Sequence, residues 1–315
     1  MAYYEFQAVA LDGAEASRAG DPKMAVVNLT QGFSIETTPK QAQKVDSFAA
    51  VLPRGSRVFI AFIPGEQPDA IVALAERLAG EGMVPVPHIP ARNLASLAAF
   101  ERYAGALYAA GARQALMLAG GAAAPAGDLE SSLELLDSGV MEGLGFEQLF
   151  VAGHPEGSPD IGTADLARAL AAKNAFAART GIPLTIVTQF GFDGAGMLAW
   201  AKAIGEAGNR LPIRLGLAGP ASLTSLMKYA KMCGVNASMG MLAKSGGKLF
   251  QLVGQATPDG LIIDLATRRD GWAALIRDIH FYPFGGFAKT AEWASRVASG
   301  SFTLHRDDRG FTVQS

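Results

Sequence analysis

Along this chain, short, nearly continuous apolar runs alternate with longer segments whose apolar residues recur at helical spacing. The short runs fall at 32–36, 57–63, 83–89, 114–119, 148–153, 184–190, 212–217 and 278–282. Runs that are apolar on both alternating faces predict parallel strands buried from two sides. The segment 69–78 carries Ile71, Leu74, Ala75 and Leu78 on one helical face, and 94–109 and 164–178 repeat the pattern. Strand and helix in strict alternation predict right-handed crossovers and an α/β fold. Eight strands in about 250 residues predict a single-domain (β/α)8 barrel, with an open doubly wound sheet as the alternative. Residues 1–30 then form a preface over the barrel bottom or edge, and 300–315 a tail folded as a small hairpin. The connection between 220 and 272 is longer than the others and predicts two or three helices after the seventh strand.

Half of the 315 residues are apolar, enough for one large core, and the net charge is only −2. A balance that close to neutral offers no field to draw in nucleic acid or a membrane surface. The single cysteine, Cys233, excludes an intrachain disulfide framework. With neither a basic–apolar leader at the start nor an apolar stretch of bilayer length, a cytoplasmic protein is expected.

In such a barrel the polar residues at strand C-termini face the active site. Those positions hold Glu36, His88, Gly120, Gly121, His154, Gln189 and Asp193, followed by 216–219 and 280–286. Glu36 closes an otherwise apolar run, where desolvation raises a carboxyl pKa and suits it to proton donation; the alternative is an ion pair with Lys40. His88 and His154 are either ligand contacts or structural hydrogen-bonding groups. Gly120 and Gly121 permit close backbone approach to a ligand or simply make a turn. A metal site is not expected, since the histidines lack ligand spacing and no cysteine cluster exists. Met227, Met232, Met239 and Met241 read as core filling. The segment 244–248 (Lys-Ser-Gly-Gly-Lys) reads as a loop, not as a phosphate cradle.

In order along the chain, these strand ends resemble the methylenetetrahydrofolate reductase family, in its short bacterial catalytic-barrel form, over residues 31–290. The carrying motifs are Phe33-Ser-Ile-Glu36-Thr-Thr-Pro39-Lys40, Pro87-His88-Ile89 and Gly153-His154-Pro155-Glu156. They continue with Thr188-Gln189-Phe190-Gly191-Phe192-Asp193, Arg214-Leu-Gly216-Leu-Ala-Gly219-Pro220 and Ile279-His280-Phe281-Tyr282. The resemblance implies reduction of 5,10-methylenetetrahydrofolate to 5-methyltetrahydrofolate. Glu36 would donate the proton, Gln189 would bond the pterin or the nicotinamide, and Phe190, Phe192 and Asp193 would contact substrate. It also implies FAD as hydride carrier from NAD(P)H, held by His88, His154, Lys173 and the Gly120-Gly121 turn, and a homo-oligomeric state. The chain departs from the family at the fourth strand, where Leu118-Ala119-Gly120-Gly121 stands for Leu-Arg-Gly-Asp, and after the last strand, where 283–287 lacks the family's Asn-Arg. Both departures remove groups that hold flavin or folate. They leave open direct hydride transfer from NAD(P)H without flavin, a folate-dependent methyltransferase or demethylase, and a folate-binding protein on the same barrel. An unrelated lyase or aldolase barrel is a further alternative, though it would want a lysine or metal cluster on the strands.

Overall fold

The computed structural model describes residues 21–122, 124–158, 161–232, 235, 256–269, 271–307 and 309–314. Eight parallel strands close into a barrel in sequence order: β1 (Ser34–Thr37), β2 (Arg57–Ile60), β3 (Val84–Pro90), β4 (Gln114–Leu118), β5 (Gln148–Gly153), β6 (Leu184–Phe190), β7 (Ile213–Ala218) and β8 (Ile276–Tyr282). The ring is completed by β1 against β8, with Ser34 opposite His280. The doubly wound alternative is thereby removed. Strand β2 stops at Ile60, short of the expected 63, because the chain turns at Pro64-Gly65, where Gly65 takes φ +92° and Glu66 N–H bonds the Ile63 carbonyl.

Alternation along each strand divides the apolar residues into two populations. Outward residues such as Ile35, Val58, Ile89, Met117, Leu149, Ile186, Leu215 and Phe281 join the core beneath the surrounding helices. Inward residues Phe59, Val86, Leu116, Phe150 and Val187 form a separate plug inside the barrel, and Phe59 and Phe150 meet edge to face at 5.0 Å. Below the plug, toward the strand N-termini, the inward positions turn polar. Arg214 donates to Asp278 at 2.7 Å and to the Gly32 carbonyl, and Arg57 bonds Gln114. The barrel is thus sealed at one end and open at the strand C-termini.

The helices follow from the local sequence. Helix Pro68–Gly80 begins with proline and Asp69 and buries Ile71, Leu74, Ala75 and Leu78, the expected face. Helix Leu97–Ala109 starts later than the pattern suggested because the Ser96 hydroxyl caps Ala99 N–H. Helix Thr163–Thr180 ends at Gly181 in the left-handed region, φ +72°. The preface helix Pro22–Thr30 packs Val26 and Leu29 into the core beside β8 and the last barrel helix, Phe287–Ala298. The tail makes the expected hairpin, Phe302–Leu304 against Phe311–Val313. In the long connection after β7, helices Leu223–Met232 and Asp259–Thr267 are described, and an Ala221–Ala256 bridge ties its two ends together. Met227 and Met232 are 49% and 66% exposed, so they do not fill the core; their helix turns Leu226 and Ala230 inward instead. Met239, Met241 and 244–248 lie outside the described residues.

Candidate active site at the strand C-termini

Above the plug, the strand ends surround a cavity of about 620 Å³, within the range typical of small-molecule sites. Its floor is Leu116, Leu118, Ala152 and Val187. Glu36 enters from β1, His88 from β3, His154 after β5, and Gln189 and Phe190 from β6. Two adjacent residues of β6 reach the same cavity because the β6–β7 register slips between Val187 and Phe190, and an irregularity of this kind re-aims side chains. The Thr188 hydroxyl occupies the slip, accepting from Gly216 N–H and donating to the Gln189 carbonyl. A Cβ on Gly216 would lie 2.4 Å from the Thr188 carbonyl oxygen, so glycine is needed there.

Glu36 is the electrostatic centre. Its side chain is 19% exposed, and its Oε2 lies 3.4 Å from His88 Nε2 and 3.8 Å from His280 Nε2. Burial raises its pKa above the ordinary carboxylate value, with His88 partly opposing. Burial brings His88 down to about 4; Glu36 opposes that shift and His280 adds to it. His280, fully buried, lies well below the usual imidazole range through burial, reinforced by the Arg214 charge. The expected alternative of a Glu36–Lys40 ion pair is not found; Lys40 and Lys44 stand on the cavity rim.

One wall is aromatic. Tyr229 stacks on Phe284 with centroids 4.1 Å apart and planes 13° from parallel, and Phe284 packs against Phe190 at 4.7 Å and Tyr282 at 5.8 Å. Tyr282 is fixed by donating its hydroxyl to the Thr188 carbonyl. A wall of rings facing a carboxyl and an amide suits a flat heterocycle with polar edges.

The remaining expected residues have other places. Asp193 accepts from Gly196 N–H through one carboxylate oxygen, as N-cap of helix Gly194–Glu206. Phe192 packs edge-on against Phe190 and does not line the cavity. Gly120 and Gly121 also lie off the lining; Gly120, at φ +94°, abuts Pro90 and Asn93, where a Cβ would come within 2.9 Å. Lys173 is buried behind β5, donating to the Ala152 carbonyl at 3.2 Å. Burial lowers its pKa to about 8, and burial together with the Lys173 charge lowers that of His154. Among the described residues, no group of three or more His, Cys, Asp or Glu is placed to hold a metal, and no helix is long and apolar enough to cross a membrane.

Ser34, Tyr229 and Phe284 carry no role in the sequence reading, and His280 enters it only as a strand end within the Ile279-His280-Phe281-Tyr282 motif. His280 had a signal: Asp278, His280 and Tyr282 alternate along β8, marking an inward polar face. Tyr229 comes from the long connection and had none.

Fold and site together define a (β/α)8-barrel protein with a ligand-sized cavity at its strand C-termini. No protein-family model matches the chain, so the reductase resemblance rests on the strand-end residues alone. Among solved structures, the chain is similar to an uncharacterized Clostridium thermocellum protein that binds two copies of 5-methyl-5,6,7,8-tetrahydrofolic acid. That match has 14% identity and a TM-score of 0.52, over 88% of this chain and 96% of that one. It is also similar to phosphonopyruvate hydrolase complexed with oxalate and Mg²⁺, at 10% identity and TM-score 0.44, over 83% and 80%. At 14% identity, what this chain shares with the Clostridium thermocellum protein is the fold.

Proposed function

We propose that this barrel is an enzyme of reduced folates that converts 5,10-methylenetetrahydrofolate to 5-methyltetrahydrofolate, taking hydride directly from NAD(P)H. The observation that carries the reading is Glu36: a carboxyl of raised pKa, at an apolar cavity, across from an amide and beside a wall of rings. Opening the bridged methylene requires a proton on N10, which leaves an iminium at N5. Glu36 supplies that proton, and hydride from C4 of the dihydronicotinamide reduces the iminium carbon, giving the N5-methyl product and NAD(P)⁺. Gln189 bonds the pterin edge or the nicotinamide amide, and Phe190 and Phe284 supply stacking faces. The folate-binding barrel from Clostridium thermocellum supports the substrate class, as the strand-end motifs do.

The residues assigned to a flavin fit it poorly. Among the described residues, Lys173 is turned to a carbonyl behind the strand, Gly120 makes a tight turn, and the end of β4 offers the cavity only Leu118. Burial lowers the pKa of His88 and His154, and the Lys173 ammonium is spent on the Ala152 carbonyl, so these groups aim no charge at a pyrophosphate in the cavity. Direct transfer is therefore preferred, and no step is routed through flavin.

Calorimetric titration with 5-methyltetrahydrofolate tests the substrate class. Saturable binding is expected, weakened about tenfold in Phe284→Ala by loss of one stacking face. Absence of saturable binding to the wild-type chain would overturn the folate reading.

A further inference from the structure

Ser34 and His280 stand side by side across the β1–β8 seam that closes the barrel, and the Ser34 hydroxyl lies 2.8 Å from His280 Nδ1. Both residues are fully buried. Hydrogen-bond accounting fixes the direction of this contact. The Ser34 hydroxyl hydrogen has no other acceptor among the described residues, and a buried hydroxyl left undonated costs about 1–3 kcal/mol. Ser34 therefore donates, and Nδ1 accepts with its lone pair. A neutral imidazole that accepts at Nδ1 carries its hydrogen on Nε2. That nitrogen is buried, has no hydrogen-bond partner, and faces Glu36 Oε2 at 3.8 Å. Around it, Phe59 packs edge-on at 4.6 Å and Tyr282 at 4.7 Å, both apolar on the faces they offer.

We infer that Ser34 and His280 are positioning residues for Glu36, forming a buried chain in which the Ser34 hydroxyl locks the imidazole so that its Nε2–H is held ready for the glutamate oxygen. The chain does little for the protonated acid, whose Oε2 is beyond hydrogen-bond reach. It becomes useful when Glu36 gives up its proton, because the new carboxylate then has a fixed donor within a small adjustment, and preorganised donors at a site of developing charge stabilise the step that makes it. His88 Nε2 lies 3.4 Å from the same oxygen on the other side and likewise makes no hydrogen bond. The charged and titratable groups that bear on this pair are His88 from β3, Arg214 from β7, and Lys40 and Lys44 at the rim. The catalytic consequence rests on Glu36 being the proton donor of the proposed reaction; the tautomer and its effect on the glutamate do not.

The test needs no folate. The chain has four histidines, so a ¹⁵N-histidine-labelled sample gives four imidazoles, assignable by single substitution. His280 is expected as the neutral Nε2–H tautomer from pH 5 to 8, and that preference is lost in Ser34→Ala. In parallel, the protonated-carboxyl infrared band that vanishes in Glu36→Gln is followed against pH. Its midpoint should rise by about one pH unit in Ser34→Ala, about tenfold in the proton equilibrium, because the freed imidazole then turns a lone pair toward Glu36. A His280 found as the Nδ1–H tautomer or as imidazolium in the wild-type protein overturns the inference. So does an unmoved midpoint in a Ser34→Ala protein whose melting shows that it is folded. Should Ser34→Ala not fold, the wild-type tautomer decides alone.

Discussion

Glu36→Gln is expected to slow hydride transfer to the folate about 10³-fold at pH 7 while leaving 5-methyltetrahydrofolate binding within about threefold. The size follows from the role: a positioned general acid contributes about 10²–10⁴ to a rate. Glutamine keeps the volume and a polar end but has no proton to give. Binding is spared because the cavity's contact area comes from the floor and the aromatic wall. The pH dependence has a definite sign. Glu36 must be protonated to act, and burial raises its pKa, so the wild-type rate falls as pH rises through that raised value. The residual rate of Glu36→Gln should lose this limb. Steady-state rates from pH 5 to 9 with both proteins check it, and a variant with near-normal turnover would remove Glu36 from the chemistry.

The second large effect is on stability and lies at the sealed end of the barrel. Arg214 is 4% exposed and is held between Asp278, the Gly32 carbonyl and the ring of Phe150. Arg214→Leu strands the Asp278 carboxylate in a site that already raises its pKa by burial, against the opposing pull of the nearby arginines. Removing one partner of a buried pair costs about 3–5 kcal/mol, and the remaining Arg57, Arg269 and Arg277 place this case near the lower figure. A carboxyl whose folded pKa exceeds its unfolded value penalises the folded state above that pKa, and the penalty fades as pH falls through it. The defect should therefore be largest near pH 8 and shrink toward pH 5, and adding Asp278→Asn should recover at least half of it. Urea unfolding across that range measures both; a loss below about 1 kcal/mol with no pH trend would mean the pair is not desolvated.

Much of the barrel was legible because parallel strands buried on both faces write themselves as apolar runs. The ends were less so. Strand β2 was read three residues too long, since Phe62 and Ile63 are apolar while the Pro64-Gly65 turn has already bent the chain away. At the site, Glu36, His88, His154, Gln189 and Phe190 do share one cavity, as position at a strand C-terminus suggested. Asp193 has a second role that the sequence contained: Asp-Gly-Ala-Gly at a helix start is a capping pattern, and one oxygen of the carboxylate caps the helix. Lys173 was placed by motif alone, and helix periodicity could not say that its ammonium turns to a strand carbonyl. His280 and Ser34 needed the closing register of β1 on β8, which only the assembled ring supplies. Phe284 and Tyr229 met through a long connection whose path no local pattern encodes.

The most direct measurement is an anaerobic assay of the purified protein with NADH or NADPH and 5,10-methylenetetrahydrofolate, following nicotinamide absorbance and the methyl product together. The expected result is nucleotide oxidation that requires the folate, matches 5-methyltetrahydrofolate formed one for one, and proceeds with no flavin bound or added. No oxidation in the presence of bound folate, or oxidation only after FAD is supplied, would contradict direct hydride transfer at this cavity.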